Sequence, residues 1–194
     1  MRSVRTPLAA AAAVLAAALF ARGASAAPIP PTASATIAET TTGSTTFHYD
    51  LNLSDDAASP TPVGTFWFAW KPGQDYMTSS PTNVTSPAGW TDIITGGGTT
   101  NGYAIQWKAT SSASDMPAGS SLSGFGFDSA DAPSVEFGES AFYPTTPVLT
   151  SVAYSGAPFS DAGTTFTVSA VPEPTLLVAA LPAAMLLRRR ARAS

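Results

Sequence analysis

The clearest pattern along the chain has a period of two. Phe47, Tyr49, Leu51 and Leu53 alternate with His48, Asp50 and Asn52. Successive side chains of a strand point to opposite faces, so this stretch predicts a strand with one buried and one wet face. After a loop at Ser54–Pro62, Val63–Trp70 predicts another strand, with Phe66, Phe68 and Trp70 on one side and Trp67 on the other. Apolar residues on both sides place it at the centre of a sheet whose second face is also covered.

Lys71-Pro72-Gly73 ends that strand, and Ser79–Gly89, with Pro81 and Pro87, reads as a loop. A hairpin follows: Trp90–Thr95, a Gly96-Gly97-Gly98 loop running to Asn101, then Gly102–Ala109 with Tyr103, Ile105 and Trp107 aligned. Beyond the turn at Pro117-Ala118-Gly119, Leu122–Asp128 puts Phe125 and Phe127 on one face and glycines on the other. Gly124 and Gly126 there admit the close approach of another backbone or a bulky ring. Weaker strands are expected at Val135–Phe137, Val148–Tyr154 and Thr164–Ser169, and Ala27–Thr32 reads as an extended, proline-rich leader. Short strands punctuated by turns, without an amphipathic helix, predict an all-β fold: an antiparallel β-sandwich of jelly-roll or immunoglobulin-like type.

The two ends follow other rules. Arg2 and Arg5 precede an Ala/Leu-rich run from Leu8 to Phe20, and Ala24-Ser25-Ala26 supplies the small residues of a signal peptidase site. Residues 1–26 are therefore expected to be a signal peptide, and residues 27–170 an exported domain. At the other end, Pro172 and Pro174 forbid a regular helix and hold Glu173 in an extended segment. A short apolar run, residues 175–187, follows, and then Arg188, Arg189, Arg190 and Arg192. Positive charge beside a hydrophobic segment stays cytoplasmic during export, which leaves the domain outside. As a helix the run reaches about 20 Å, against about 30 Å for a bilayer core. Pro182 interrupts it, so it suits a transient membrane substrate better than a permanent span.

The order Val171-Pro172-Glu173-Pro174, apolar segment, arginine cluster resembles the PEP-CTERM sorting signal of Gram-negative bacteria. The resemblance is confined to the tail, residues 171–194, and implies nothing about the fold upstream. It implies recognition of the Pro-Glu-Pro region by an exosortase-type membrane enzyme and delivery to the cell surface or extracellular matrix.

Charge sharpens this picture. The overall charge of -4 hides two basic ends around a strongly acidic middle, since residues 27–170 carry only Lys71 and Lys108 against twelve carboxylates. Such a domain is unsuited to nucleic acid or anionic lipid, whose phosphates require Lys or Arg. The absence of cysteine removes disulfides and thiolate metal sites, so the apolar core must hold the domain together.

Candidate chemistry is sparse. His48 is the only histidine, on the polar face of a strand without a nucleophile motif, which makes it a surface residue and excludes multi-histidine metal sites. Asp128, Asp131, Glu136 and Glu139 cluster at a strand end, as Asp55 and Asp56 do in a loop. Such groups can serve a glycosidase only if two face each other across a cleft, and otherwise offer hard oxygens to a structural calcium ion. Aromatic rings remain. Trp67, opposite the core face, and Trp90, at a strand start, are the candidates for stacking on a sugar, provided they are exposed. The reading is an exported, non-enzymatic surface or matrix protein. A carbohydrate-binding module is the first alternative and a secreted glycoside hydrolase the second. No cofactor is expected, and the partners are signal peptidase, the exosortase and an extracellular polysaccharide.

Overall fold

The computed structural model describes residues 27–41, 43, 45–97, 102–132 and 150–171. The described chain is all-β, apart from a single 3-10 turn at Ser112–Ser114. Twelve strands form: β1 (Ala33–Thr41), β2 (Phe47–Asp55), β3 (Thr65–Phe68), β4 (Trp70–Lys71), β5 (Gln74–Asp75), β6 (Thr82–Thr85), β7 (Trp90–Gly96), β8 (Tyr103–Ala109), β9 (Ser121–Ser129), β10 (Thr150–Tyr154), β11 (Thr164–Thr167) and β12 (Ser169–Ala170). They make two five-stranded sheets, in the orders β12-β1-β2-β9-β6 and β11-β10-β3-β8-β7, and a small β4-β5 hairpin. Every pairing is antiparallel except β1 with β12.

The period of two decides which faces meet. On the first sheet Ala35, Ile37, Tyr49, Leu51, Leu53, Phe125 and Phe127 are buried, and on the second Phe66, Phe68, Ile105, Trp107 and Ala153, all in one core cluster. Rings interlock across the gap: Phe66 and Trp107 each meet Phe125, and Phe68 meets Phe127, with centroids 5.3–5.6 Å apart. Such ring pairs contribute about 0.5–1.5 kcal/mol beyond the area they bury. β3 lies at the centre of its sheet, as its doubly apolar pattern requires.

Three strands escaped the sequence pattern, among them the two-residue β5, which follows the expected stop at Lys71-Pro72-Gly73. β1 buries Ala33, Ala35 and Ile37 against exposed or half-exposed neighbours, but alanine and threonine alternate too weakly in hydrophobicity to announce it. β6 lies inside the expected loop at Ser79–Gly89 and pairs with β9 at only two positions, with an irregularity between them. Gly124 occupies a bulge in β9, where the register against β2 slips between Leu51 and Asn52, and its φ of 98° is one that a side chain would resist. Gly126 allows the close approach anticipated for it: an added Cβ would lie 2.9 Å from Thr85 Oγ1. The strand expected at Val135–Phe137 and residues 148–149 of the one before Tyr154 lie outside the described residues.

A sharper departure occurs at Trp70. Ala69 has a left-handed φ of 56°, which breaks β3 from β4 and shifts the alternation by one residue. Trp70 therefore joins Trp67, Ala104, Val152 and Tyr154 in a second cluster on the outer face, rather than Phe66 and Phe68 in the main core.

Candidate functional site

The second cluster is an aromatic stack. Trp67 and Trp70 lie face to face with centroids 3.9 Å apart and planes within 5° of parallel. Trp67 Nε1 donates to Thr95 Oγ1 at 3.2 Å, and the Thr95 hydroxyl donates to Asp75 Oδ1 at 3.1 Å. Burial pushes the Asp75 carboxyl above its ordinary range, and the Thr95 hydrogen bond offsets this only in part.

Phe159 lies over the stack. Its centroid is 5.8 Å from Trp67 and 5.7 Å from Trp70, its plane stands 72° and 77° from theirs, and it also touches Tyr154 at 5.6 Å. The local sequence places it there. Ser160 N donates to Ala157 O at 3.0 Å, closing a four-residue turn with Pro158 second and Phe159 third. Proline presets the second position, and the third, with φ of 64°, takes the left-handed conformation that type II turns reserve for glycine. A bulky residue there costs on the order of 1–3 kcal/mol. Asp161 locks the loop: Oδ2 accepts from Ser155 N and Oγ at 2.8 and 2.6 Å, and Oδ1 accepts from Gly163 N at 2.7 Å. Thr65 Oγ1 adds a hydrogen bond to Gly156 O. Despite three ring neighbours, Phe159 is 65% exposed.

The two tryptophans put forward for stacking on a sugar do not meet the condition of exposure: Trp67 is 7% exposed and Trp90 6%. Trp67 is covered by Trp70 and Phe159, while Trp90 belongs to the main core, packs edge-on against Phe125 and donates its indole N–H to Ser114 O. Neither offers a free face. Phe159 escaped the sequence reading because its only signal is the Pro158-Phe159 pair in a polar loop, where glycine or asparagine would mark the turn.

The carboxylates at the end of β9 separate. Asp128 faces outward, its Oδ1 2.6 Å from His48 Nδ1 and its Oδ2 accepting from Asn83 Nδ2 at 2.8 Å. On the other side of the ring, His48 Nε2 lies 3.4 Å from Asp50 Oδ1. The hydrogen bond that its ring N–H donates to Asp128 raises the His48 pKa above its ordinary value. The bonds from Asn83 and His48 lower that of Asp128. Asp131 instead faces inward, where both its oxygens accept from Ser79 and its carbonyl accepts from Tyr49 Oη. Each of the two carboxylates is thus committed to a structural partner. Glu136 and Glu139 lie outside the described residues.

Asp55 is 4% exposed, and neither carboxylate oxygen makes a hydrogen bond. The donors around it are used elsewhere: Ser59 Oγ donates to Thr61 O, Asp56 N to Thr32 O, and Thr32 N to Ser59 Oγ. Burial therefore pushes its pKa up, and the nearby hydroxyl and amides only temper the shift. Among the described residues, no group of three or more His, Asp or Glu side chains is placed to hold a metal ion.

Of the expected sorting signal, Val171 is described: it is 46% exposed and its N–H donates to Ile37 O at 2.8 Å. Pro172, Glu173, Pro174, Arg188, Arg189 and Arg190 lie outside the described residues, as do residues 1–26 and the apolar run at residues 175–187. No helix among the described residues is long and apolar enough to cross a membrane. No family model, curated protein or solved structure matches the chain.

Proposed function

We propose that the chain is an exported, non-enzymatic cell-surface or extracellular-matrix protein. Its two sheets form a β-sandwich that a PEP-CTERM-type tail delivers. The observation that carries this reading is the placement of the described strands. Among the described residues the strand nearest the tail, β12, ends at Ala170 and Val171 N donates a backbone hydrogen bond to Ile37 O, just before Pro172-Glu173-Pro174. Cleavage at that triplet keeps every described strand. At the other end, β1 begins at Ala33, a few residues beyond the Ala24-Ser25-Ala26 site. The expected sorting elements thus lie on either side of the described strands in the sequence. The commitment of His48, Asp128 and Asp131 to structural hydrogen bonds favours this reading over a hydrolase.

Intact mass spectrometry of the surface fraction, in a host with an exosortase, tests the proposal. The wild-type protein is expected to run from Ala27 to near Pro172-Glu173-Pro174 and to lack the arginines. Replacing Pro172, Glu173 and Pro174 by alanine is expected to leave full-length protein in the membrane fraction. A surface form ending at Ser194, or equally efficient trimming of the triple variant, would make the tail a simple anchor.

A further inference from the structure

We infer that Phe159 is the contact ring of a binding site for neutral polysaccharide, taking one face of a pyranose. Four features of the turn converge on this. The left-handed φ of 64° favours glycine, yet the position holds a large aromatic side chain. A ring acting only as a plug for Trp67 and Trp70 would be buried, whereas Phe159 is 65% exposed. The loop that carries it is fixed by Asp161, by Thr65 and by the turn's own hydrogen bond, so little ordering remains for binding to oppose. Behind the ring, the stacked indoles and Tyr154 fix its tilt.

The surroundings select the ligand. Along its loop Phe159 follows Ala157 and Pro158 and is otherwise neighboured by Ser155, Gly156, Ser160 and Asp161, a single exposed ring and not the broad apolar patch that a protein interface centres on. One exposed ring followed in the chain by an exposed serine, Ser160, suits a pyranose, whose axial C–H groups stack on a π face while its hydroxyls need polar neighbours. The acidity of residues 27–170 disfavours polyanionic polymers, leaving neutral ones. The inference does not depend on how the chain is delivered.

The test uses the full chain with amylose and cellulose as probes, alginate as a charged control, and tryptophan emission as a second readout because Trp67 and Trp70 lie directly beneath the ring. Binding of a neutral glucan is expected, with a change in emission. F159A and F159G should weaken it about tenfold or more, F159W should restore it, and I93T, on β7, should leave it unchanged. F159G removes the left-handed strain and keeps the test independent of folding. The inference is overturned if neither glucan binds, if binding persists in F159G, if alginate is preferred, or if loss of the ring instead abolishes a concentration-dependent dimer, which would make Phe159 a protein contact.

Discussion

At the scale of single residues, two acidic side chains carry opposite pH signatures. Asp55 is buried without a hydrogen-bonding partner, and its carboxyl is easier to protonate in the fold than in the unfolded chain. The ionisation of such a group costs nothing below its unfolded pKa, near 3.8, and destabilises the fold increasingly as the pH rises from there to the raised folded value. Asp55→Asn is therefore expected to stabilise the protein at pH 7, by about 1 kcal/mol or more, and to show no gain at pH 3. Urea unfolding at the two pH values measures this. Asp128 behaves in the other sense. Its depressed pKa contributes stability above about 3.8 that is lost as the pH falls through the folded value, while the raised pKa of His48 contributes stability below about 6.5 that is lost as the pH rises through its own. The pair should give a stability maximum between those values, and His48→Gln should flatten its alkaline side in a series of thermal melts.

At the scale of elements, the single left-handed residue Ala69 separates two environments. It turns Trp70 out of the main core and onto Trp67, and it lies fully buried itself. Ala69→Val puts a β-branched residue where φ is 56° and no space remains, and is expected to cost about 2–3 kcal/mol. Ala69→Gly should stay within about 1 kcal/mol of wild type. Chemical denaturation separates the two outcomes. This position also marks the limit of what the sequence makes legible. In β2 large apolar residues alternate with polar ones, and in β9 phenylalanines alternate with glycines, so strand and buried face both follow from periodicity. From Thr65 to Trp70 the same rule assigns Trp70 to the wrong face, because alanine gives no notice of a left-handed backbone as glycine or asparagine does. β1 stays hidden for another reason: Ala33 and Ala35 are buried by pairing and position, not by hydrophobicity that their neighbours lack. The candidate site was least legible of all. It depends on a strained Phe159 and a shifted Trp70, and both are set by local backbone that contradicts propensity.

At the scale of the whole molecule, the core is shared between the sheets, so loss of one ring is felt by both. Phe66 stacks on Trp107 and Phe166 and meets Phe125 of the opposite sheet edge-on. Phe66→Ala is expected to cost about 3–5 kcal/mol, read as a lowered denaturation midpoint. Chain length offers a complementary test. A chain ending at Val171 should unfold at the same denaturant concentration as the full chain, because every described strand is present. One ending at Gly163 loses β11 and β12 with the core contacts of Phe166 and Val168, each contributing about 1.5–3 kcal/mol. It should be markedly less stable in the same titration.

The parallel pairing of β1 with β12 sets how the protein bears load. Thr36 lies opposite Ser169 and Ile37 opposite Ala170, with the two strands running the same way. The chain therefore enters this edge at one end of the pair and leaves it at the other. Tension between residue 27 and residue 171 pulls the strands along their length, loading the hydrogen bonds together instead of opening them one by one as in a hairpin drawn apart at its mouth. Held at both residue 27 and residue 171, this edge is loaded in shear along its strands.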